Sequence, residues 1–187
     1  MKRSKGGFFN TLSGRFLLLT AAFVMLAEVL IFVPSIARFR ADYLLLKLEK
    51  AQIASLALLA SDQSISADLE TELLKNAEVF NVVLRRDEVR QLVLSSPIPA
   101  PIHDTFDLRL AGPWELIRDA MGVLADPENR IIRVIGNPVQ DAGLLIEITV
   151  ETAPLRKAMV EYGLRILFLS ALISVVTAFL LILAVQR

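Results

Sequence analysis

Two apolar stretches, one near each end of the chain, decide its fold. Residues 16–33 read FLLLTAAFVMLAEVLIFV, with Glu28 as the single charged residue, and residues 166–185 read ILFLSALISVVTAFLLILAV, with none. A helix that crosses the hydrocarbon core of a bilayer needs about 17–25 mostly apolar residues. The second stretch is apolar on every face, whereas a helix on the surface of a soluble core is apolar on one face only. Both stretches are predicted to be transmembrane helices.

Basic residues set the predicted orientation of these helices. Residues 1–15 carry four basic residues and no acidic one, and such an excess marks the cytoplasmic side of a membrane helix. The predicted segments, in order, are a cytoplasmic tail (residues 1–15), a first transmembrane helix (16–37), a periplasmic domain (38–163), a second transmembrane helix (164–185) and the start of a cytoplasmic region (186–187). The charge distribution thus predicts a multi-pass membrane protein with both termini in the cytoplasm, in which residues 38–163 are periplasmic if the cell is Gram-negative.

A cleaved signal peptide is the alternative for the first apolar stretch. Ser35, Ile36 and Ala37 loosely resemble a small-x-small cleavage site. The apolar run is longer, however, than the roughly 7–15 residues typical of the core of a signal peptide. Retention of the helix as a membrane anchor is therefore favoured.

Glu28 is a carboxyl group inside a predicted membrane helix. An Asp at such a position costs about 2.5–3.5 kcal/mol on insertion scales, so the group needs a partner or a route to water. Antiparallel alignment of the two stretches brings Glu28 near Ser170 and Ser174, which form a small polar stripe with Thr177 that favours close helix packing. These four residues are predicted to mediate transmembrane packing and signalling. The alternative is that Glu28 tips toward the outer interface; pairing with Arg165 would leave an axial offset of ~10 Å.

The residues between the two stretches resemble an ordinary water-soluble domain. Residues 38–163 contain 14 basic and 19 acidic residues, hence a net charge of −5, although the whole chain is neutral. Domains that bind nucleic acid are usually basic, so no nucleic acid partner is expected. The chain has no cysteine, which excludes disulfides and thiolate zinc sites.

Residues 38–60 contain neither proline nor glycine and are predicted to continue the first transmembrane helix outward. A seam of residues recurs along this helix at spacings of three and four: Leu44, Leu48, Ala51, Ser55 and Leu58. This pattern fits a dimer-forming helix that passes displacement to the membrane. It also fits a helix that covers a sheet, and the two interpretations are compatible.

The remaining elements predict an α+β fold. They are a helix at 67–77 with Ser66 as its N-cap, strands at 80–84 and 89–94 around the turn 85–88, a proline-rich loop at 96–113, a helix at 114–124, strands at 130–135 and 144–151, and a helix at 155–163 after Pro154. In the last strand, one face is expected to hold Leu144, Ile146, Ile148 and Val150. This order predicts an antiparallel sheet with helices on one side. It resembles the periplasmic relatives of PAS domains, and that likeness implies no ligand.

Chemistry-bearing patterns are sparse in this sequence. The single histidine, His103, lies in the predicted loop and is expected to be exposed; its charge changes near neutral pH, but one histidine makes no metal site. Three arginines of the first hairpin, Arg85, Arg86 and Arg90, are candidates for an anion site but fit a solvated turn better. There is no glycine-rich phosphate loop, zinc spacing or Ser/His/Asp set. No catalytic residue, metal or cofactor is predicted, and the ligand is not identified.

The segments that flank the central domain carry a family resemblance. GRFLLLTAAFVMLAEVLIFVPSIARFR at 14–40, AQIASLALLA at 51–60 and ETAPLRKAMVEYGLRILFLSALIS at 151–174 resemble the N-terminal region of alphaproteobacterial sensor histidine kinases that contain a HAMP linker. In such kinases the second membrane helix leads into the HAMP linker, a dimerisation-phosphoacceptor domain and an ATP-binding domain. This sequence stops at Arg187, where the linker would begin. His103 does not match the phosphoacceptor motif, so no catalytic residue is carried over.

The resemblance implies the signal-input part of a two-component system of the bacterial inner membrane, without its cytoplasmic half. The expected partners are a second copy in a homodimer, the lipid membrane, an unknown periplasmic ligand or protein, and a response regulator reached through the kinase domains. Alternatives are the input module of a chemoreceptor or diguanylate cyclase, and a stand-alone membrane scaffold. An envelope enzyme is disfavoured by the missing catalytic constellations.

Overall fold

The computed structural model describes residues 12–59, 67–86, 89–138 and 144–186. Within them the elements follow in the order α1 (Leu12–Leu59), α2 (Ala67–Ala77), β1 (Asn81–Arg86), β2 (Val89–Ser95), β3 (Ile102–Asp107), α3 (Pro113–Ala125), β4 (Ile131–Gly136), β5 (Leu145–Glu151) and α4 (Thr152–Gln186). The predicted α+β class is confirmed. The predicted N-cap Ser66 lies outside the described residues.

Two helices in the described part of the chain are long and apolar enough to cross a membrane. They are Leu18–Ala57, with a mean hydropathy of 2.2 in its most apolar window, and Thr152–Thr177, with 1.8. Two spans are therefore compatible with the structure. The first helix is near the N-terminus, where a signal sequence meets the same criteria. By compactness the chain divides into residues up to Ser35 and residues from Ile36 onward.

From Ile36 onward, one face of α1 is buried in the α+β domain. Four of the five seam residues are at most 2% exposed: Leu44, Leu48, Ala51 and Ser55. The side chain of the fifth, Leu58, lies outside the described residues. At Gly136, the last residue of β4, an added Cβ would lie 2.5 Å from Cδ1 of Leu48. The predicted seam thus packs α1 onto the sheet of its own chain, and these buried side chains have no surface left for a partner.

The described strands form one mixed sheet in the order β2-β1-β5-β4-β3. β1 pairs antiparallel with β2, and β4 pairs antiparallel with β5, as predicted. β1 also pairs antiparallel with β5, a contact between the two hairpins that the sequence did not specify. β3 runs parallel to β4, so the prediction of a wholly antiparallel sheet is wrong. Parallel neighbours need a crossover connection, and α3 provides it between β3 and β4.

The prediction of an uninterrupted loop over residues 96–113 is also wrong, because it contains β3. Pro97, Pro99 and Pro101 precede this strand and Pro113 begins α3, so no proline interrupts the pairing. β3 is at the edge of the sheet, and its residues 103–105 are exposed. An edge strand needs a partner on one side only and tolerates polar side chains, which removes the apolar alternation that identifies other strands.

β5 passes directly into α4, since Glu151 ends the strand and Thr152 begins the helix. The buried face of β5 is confirmed for Ile146, Ile148 and Val150. The prediction is wrong for Leu144, which precedes the strand and is 57% exposed. Pro154 lies in the first turn of α4, where the missing N–H leaves no helical hydrogen bond unmade; the helix therefore begins earlier than predicted.

Candidate ligand-binding cleft

A cleft of about 620 Å³ opens at the β3 edge of the sheet. Its lining comes from β3 and the turn that follows it, from α3, from residues 126–130 that lead into β4, and from Thr152 at the start of α4. The cleft exists because α3 crosses over between two parallel strands, the arrangement that the sequence did not predict. It also reaches the first residue of the helix that contains the second apolar stretch.

Acidic side chains dominate the charged lining of this cleft. Six carboxylates face two arginines in the described lining: Asp104, Asp107, Glu115, Asp119, Asp126 and Glu128 against Arg118 and Arg130. Nη2 of Arg118 lies 3.1 Å from Oδ1 of Asp119, and Nε of Arg130 lies 2.7 Å from Oδ2 of Asp126. Because six carboxylates outnumber two arginines, the described lining carries an excess of negative charge.

Asp107 and Arg109 fix the turn at the end of β3. Nε and Nη2 of Arg109 donate to the two carboxylate oxygens of Asp107 at 3.0 and 2.7 Å, and the backbone N–H of Arg109 donates to Oδ1 at 3.0 Å. These hydrogen bonds lower the pKa of Asp107, most of all the one from the Arg109 side chain. A bidentate arginine–carboxylate pair adds geometric specificity, and here it holds one wall of the cleft in place.

His103 lies in β3 and not in a loop, with its side chain 49% exposed, so the predicted exposure is confirmed. Its Nε2 contacts Nη1 of Arg130. Arginine is a donor only, so Nε2 is the acceptor in this contact. His103 is thus part of the charged lining of the cleft and helps to position Arg130.

Arg40 is the residue that the sequence analysis did not single out. Its side chain is 0% exposed, and among the described residues none of its three guanidinium nitrogens has a hydrogen-bond partner. The guanidinium carbon lies 4.4 Å from the centroid of the Phe106 ring. Burial lowers the pKa of Arg40, against the opposing negative charge of Asp119. Arginine remains protonated in proteins, so a positive charge lies directly behind the part of the wall formed by Phe106.

A signal for Arg40 was present in the sequence. Ile36, Arg40, Leu44 and Leu48 follow one another at intervals of four, which places them on one face of a helix. A charged residue within a buried apolar stripe is unusual unless it is paired. Its environment could not be read from the sequence, because Phe106 and Asp119 come from elements far along the chain.

Gly122 forms part of the helical wall of the cleft. The helix α3 is fixed at its start by Pro113 and by Glu115, whose Oε2 accepts a hydrogen bond from the backbone N–H of Gly112 at 3.0 Å. At Gly122 no described atom lies within 4 Å of the position that a Cβ would take. Glycine inside a helix costs about 0.5–1 kcal/mol relative to alanine, so this position gives up stability although alanine would fit.

A second cavity of about 460 Å³ lies between α1, α2 and the sheet. It contains an ion pair between Nζ of Lys47, on a side chain that is 9% exposed, and Oε2 of Glu78. Glu78 has a φ of 54° at the end of α2, where the N–H groups of Glu78 and Val79 bond back to Lys75 and Leu74 at 3.1 Å each. Glycine is the usual residue at this left-handed position. Glu78 adopts this strained backbone conformation, and its carboxylate forms the ion pair with the buried Lys47.

The residues predicted to pack within the membrane lie on the two long helices. Glu28 lies on α1, and Ser170, Ser174 and Thr177 lie on one face of α4. The hydroxyl of Thr177 donates to the carbonyl of Ile173 at 2.8 Å, within its own helix. Pairing between Glu28 and the α4 stripe stays a prediction. In the first hairpin, Arg85 is exposed, and the side chains of Arg86 and Arg90 lie outside the described set.

Within the described ranges, no group of three or more His, Asp or Glu side chains is placed to hold a metal ion. The cleft therefore presents charge and hydrogen-bonding groups around an open volume, which is the arrangement of a binding site. Comparison with known proteins adds no assignment: no family model and no curated protein matches the sequence, and no solved structure matches the fold.

Proposed function

We propose that residues 1–187 are the signal-input part of a two-component sensor histidine kinase of the bacterial inner membrane. In this proposal a PAS-like periplasmic domain, acting in a homodimer, receives the stimulus and controls a cytoplasmic kinase that phosphorylates a response regulator. The resemblance of the flanking segments supports this function. So does the presence of two apolar helices that are each long enough to span a bilayer.

The main support for the proposal is that both long helices, α1 and α4, bury side chains in the core of the same α+β domain. Leu44 and Leu48 of α1 are buried against the domain, and so are Leu155 and Met159 of α4, at 1% and 0% exposure. α4 also begins where β5, the middle strand of the sheet, ends. A change in core packing therefore displaces helices that continue into apolar stretches. Signalling then follows as a population shift between two packings.

An aromatic contact ties the two helices together within the α+β domain. The rings of Phe39 on α1 and Tyr162 on α4 are stacked, with centroids 4.2 Å apart and an interplanar angle of 11°. Such pairs contribute about 0.5–1.5 kcal/mol beyond their buried area. In a sensor, this contact would couple the movement of α1 to that of α4.

A chimera tests the proposed function. Residues 1–187 are joined, in several helical phases, to the HAMP linker and kinase of an established sensor, and phosphorylation is measured in membranes. Phe39→Ala and Tyr162→Ala are expected to change kinase output in a responsive phase, whereas Trp114→Ala, at a side chain that is 75% exposed, is expected to leave it unchanged. If no phase gives an output that the aromatic variants alter, the chain is not an input module.

The proposed topology has its own test, because the chain lacks cysteine. Ala100→Cys is expected to react with a membrane-impermeant maleimide in spheroplasts, whereas Ser4→Cys and Arg187→Cys are expected to react only after lysis. A mature protein that begins after Ala37 would instead show that the first stretch is a cleaved signal peptide.

A further inference from the structure

Arg40 presents a charge that the described part of the chain does not neutralise. Its guanidinium is fully buried, and its Nε, Nη1 and Nη2 lack hydrogen-bond partners among the described residues. Buried charges in proteins are normally paired, because an unpaired one loses its hydration without compensation. A side chain of this kind indicates an anionic partner that is not among the described residues.

The position of Arg40 indicates where that anion would come from. Phe106, 4.4 Å from the guanidinium, and Asp119, whose charge acts on it, both line the cleft. Asp119 does not serve as its full partner, because Oδ1 of Asp119 already accepts from Nε and Nη2 of Arg118 at 3.2 and 3.1 Å. The positive charge therefore lies one side chain behind the cleft wall.

The mouth of the cleft has the opposite charge. Asp104 and Glu128 lie there with side chains 59% and 74% exposed, and the arginines of the lining are held in ion pairs. A ligand that enters this cleft thus meets carboxylates first, and the guanidinium of Arg40 lies beyond the Phe106 side chain at its wall. The complementary molecule carries a carboxylate at its leading end and an ammonium group behind it.

Gly122 supplies the room that such a molecule needs. A Cβ at this position would meet no described atom within 4 Å, yet the helix keeps glycine there at a cost in stability. Bare helical backbone facing a cleft permits a ligand to lie closely against α3. This observation is independent of the charges and points to the same cavity.

We propose that the cleft binds a small zwitterion, such as a free amino acid, with its carboxylate on Arg40 and its ammonium group among the carboxylates of the mouth. Contact with Arg40 requires the Phe106 ring to move aside, which disturbs the contact between the cleft and α1. The role of this molecule as the stimulus rests on the proposed function. Binding itself is measurable without a kinase.

The test uses the full chain in lipid nanodiscs, with the standard amino acids as probes and with their N-acetyl and amide derivatives as controls. Thermal midpoints and hydrogen exchange of α3 and β3 are measured with and without probe. At least one amino acid is expected to raise the midpoint and to slow exchange in α3 and β3. Its N-acetyl derivative, which lacks the positive charge, and its amide, which lacks the carboxylate, are expected to do neither.

Two variants locate the binding on the cleft. Arg40→Met is expected to weaken binding about ten-fold or more, the loss of a charge-assisted hydrogen bond, and to raise the midpoint of the ligand-free chain because an unpaired buried charge is gone. Gly122→Leu is expected to abolish the shift while the chain stays folded. Lys47→Met, which removes the other buried cation of α1, is the matched control and should keep the shift.

The inference is overturned if no free amino acid shifts the chain, or if a shift survives both Arg40→Met and Gly122→Leu. It is also overturned if Arg40→Met lowers the midpoint and Gly122→Leu still binds, because Arg40 would then be a structural residue. Binding with a silent kinase chimera would refute the proposed function and leave the zwitterion site standing. A chimera that responds while no amino acid binds would support the proposed function and refute the zwitterion site.

Discussion

The contact between Leu48 and Gly136 predicts how firmly α1 is held on the sheet. Gly136→Ala places a Cβ 2.5 Å from Cδ1 of Leu48, closer than van der Waals contact allows, and 3.6 Å from Cγ, an ordinary contact distance. Leu48 is 2% exposed, so its side chain has to shift within a buried interface to admit the added methyl group. Overpacking of this kind costs about 1–3 kcal/mol, and we expect Gly136→Ala to destabilise the domain by this amount.

The second half of the prediction is a rescue. Leu48→Ala by itself leaves a cavity and is expected to cost about 2–5 kcal/mol. In the double variant the added Cβ occupies part of that cavity and meets no clash. The double variant is therefore expected to be more stable than the sum of the single changes by at least about 1 kcal/mol, within the range for residues in contact.

Hydrogen exchange of the β4 and β5 amides in the full chain measures these free energies locally. The apolar stretches of α1 and α4 do not contribute to that signal. Gly122→Ala is the matched control, because its Cβ meets no described atom; it is expected to be neutral or to stabilise by up to about 1 kcal/mol. If Gly136→Ala is as stable as the parent, or if the two changes at the contact are additive, α1 does not pack on the sheet as described.

Three further predictions concern other parts of the chain. Under the proposed function, Glu28→Leu and Ser174→Leu are each expected to bias the output of the kinase chimera without preventing membrane insertion; unchanged output from both would remove the packing role. Combining Lys47→Met with Glu78→Gly is expected to stabilise the domain by about 1 kcal/mol, since the left-handed strain at Glu78 is relieved and no buried ammonium is left unpaired; a loss in thermal midpoint would contradict this. The hydrogen bond and charge of Lys47 lower the pKa of Glu78 from its ordinary 4.5, so this pair stabilises the fold above that pH and its contribution disappears as the pH falls through the lowered pKa. Acid titration of Glu78→Gln should lack that component, and an unchanged acid transition would count against it.

Much of the fold followed from local sequence patterns. The charged turn between two apolar runs predicted the pairing of β1 with β2, and the seam that contains Leu44 predicted the buried face of α1. These features are local, because the residues that define each element are neighbours along the chain. β3 was missed because an edge strand with one paired side does not require apolar alternation, and the parallel pairing was missed with it.

The cleft could not be predicted for a different reason. It is bounded by α3 and β3, and its position depends on the crossover between β3 and β4. Arg40 interrupts an apolar stripe and was visible in the sequence as an anomaly, but the aromatic ring of Phe106 and the carboxylate of Asp119 are more than sixty residues away. A charged residue within a buried stripe indicates a binding site only when the residues that surround it in the fold are known.

The direct junction of β5 and α4 limits where related chains can change in length. An extra residue within β5 would turn its side chains to the opposite face of the sheet, although Ile148 and Val150 must remain buried. An extra residue at the start of α4 would rotate the helix by about 100° and move Leu155 and Met159 out of the core. Insertions and deletions are therefore expected between α1 and α2, or between β4 and β5. The interval from Ile148 to Met159 should keep a constant length in an alignment of homologues. This constant length would fix the spacing between the sheet and the second apolar helix.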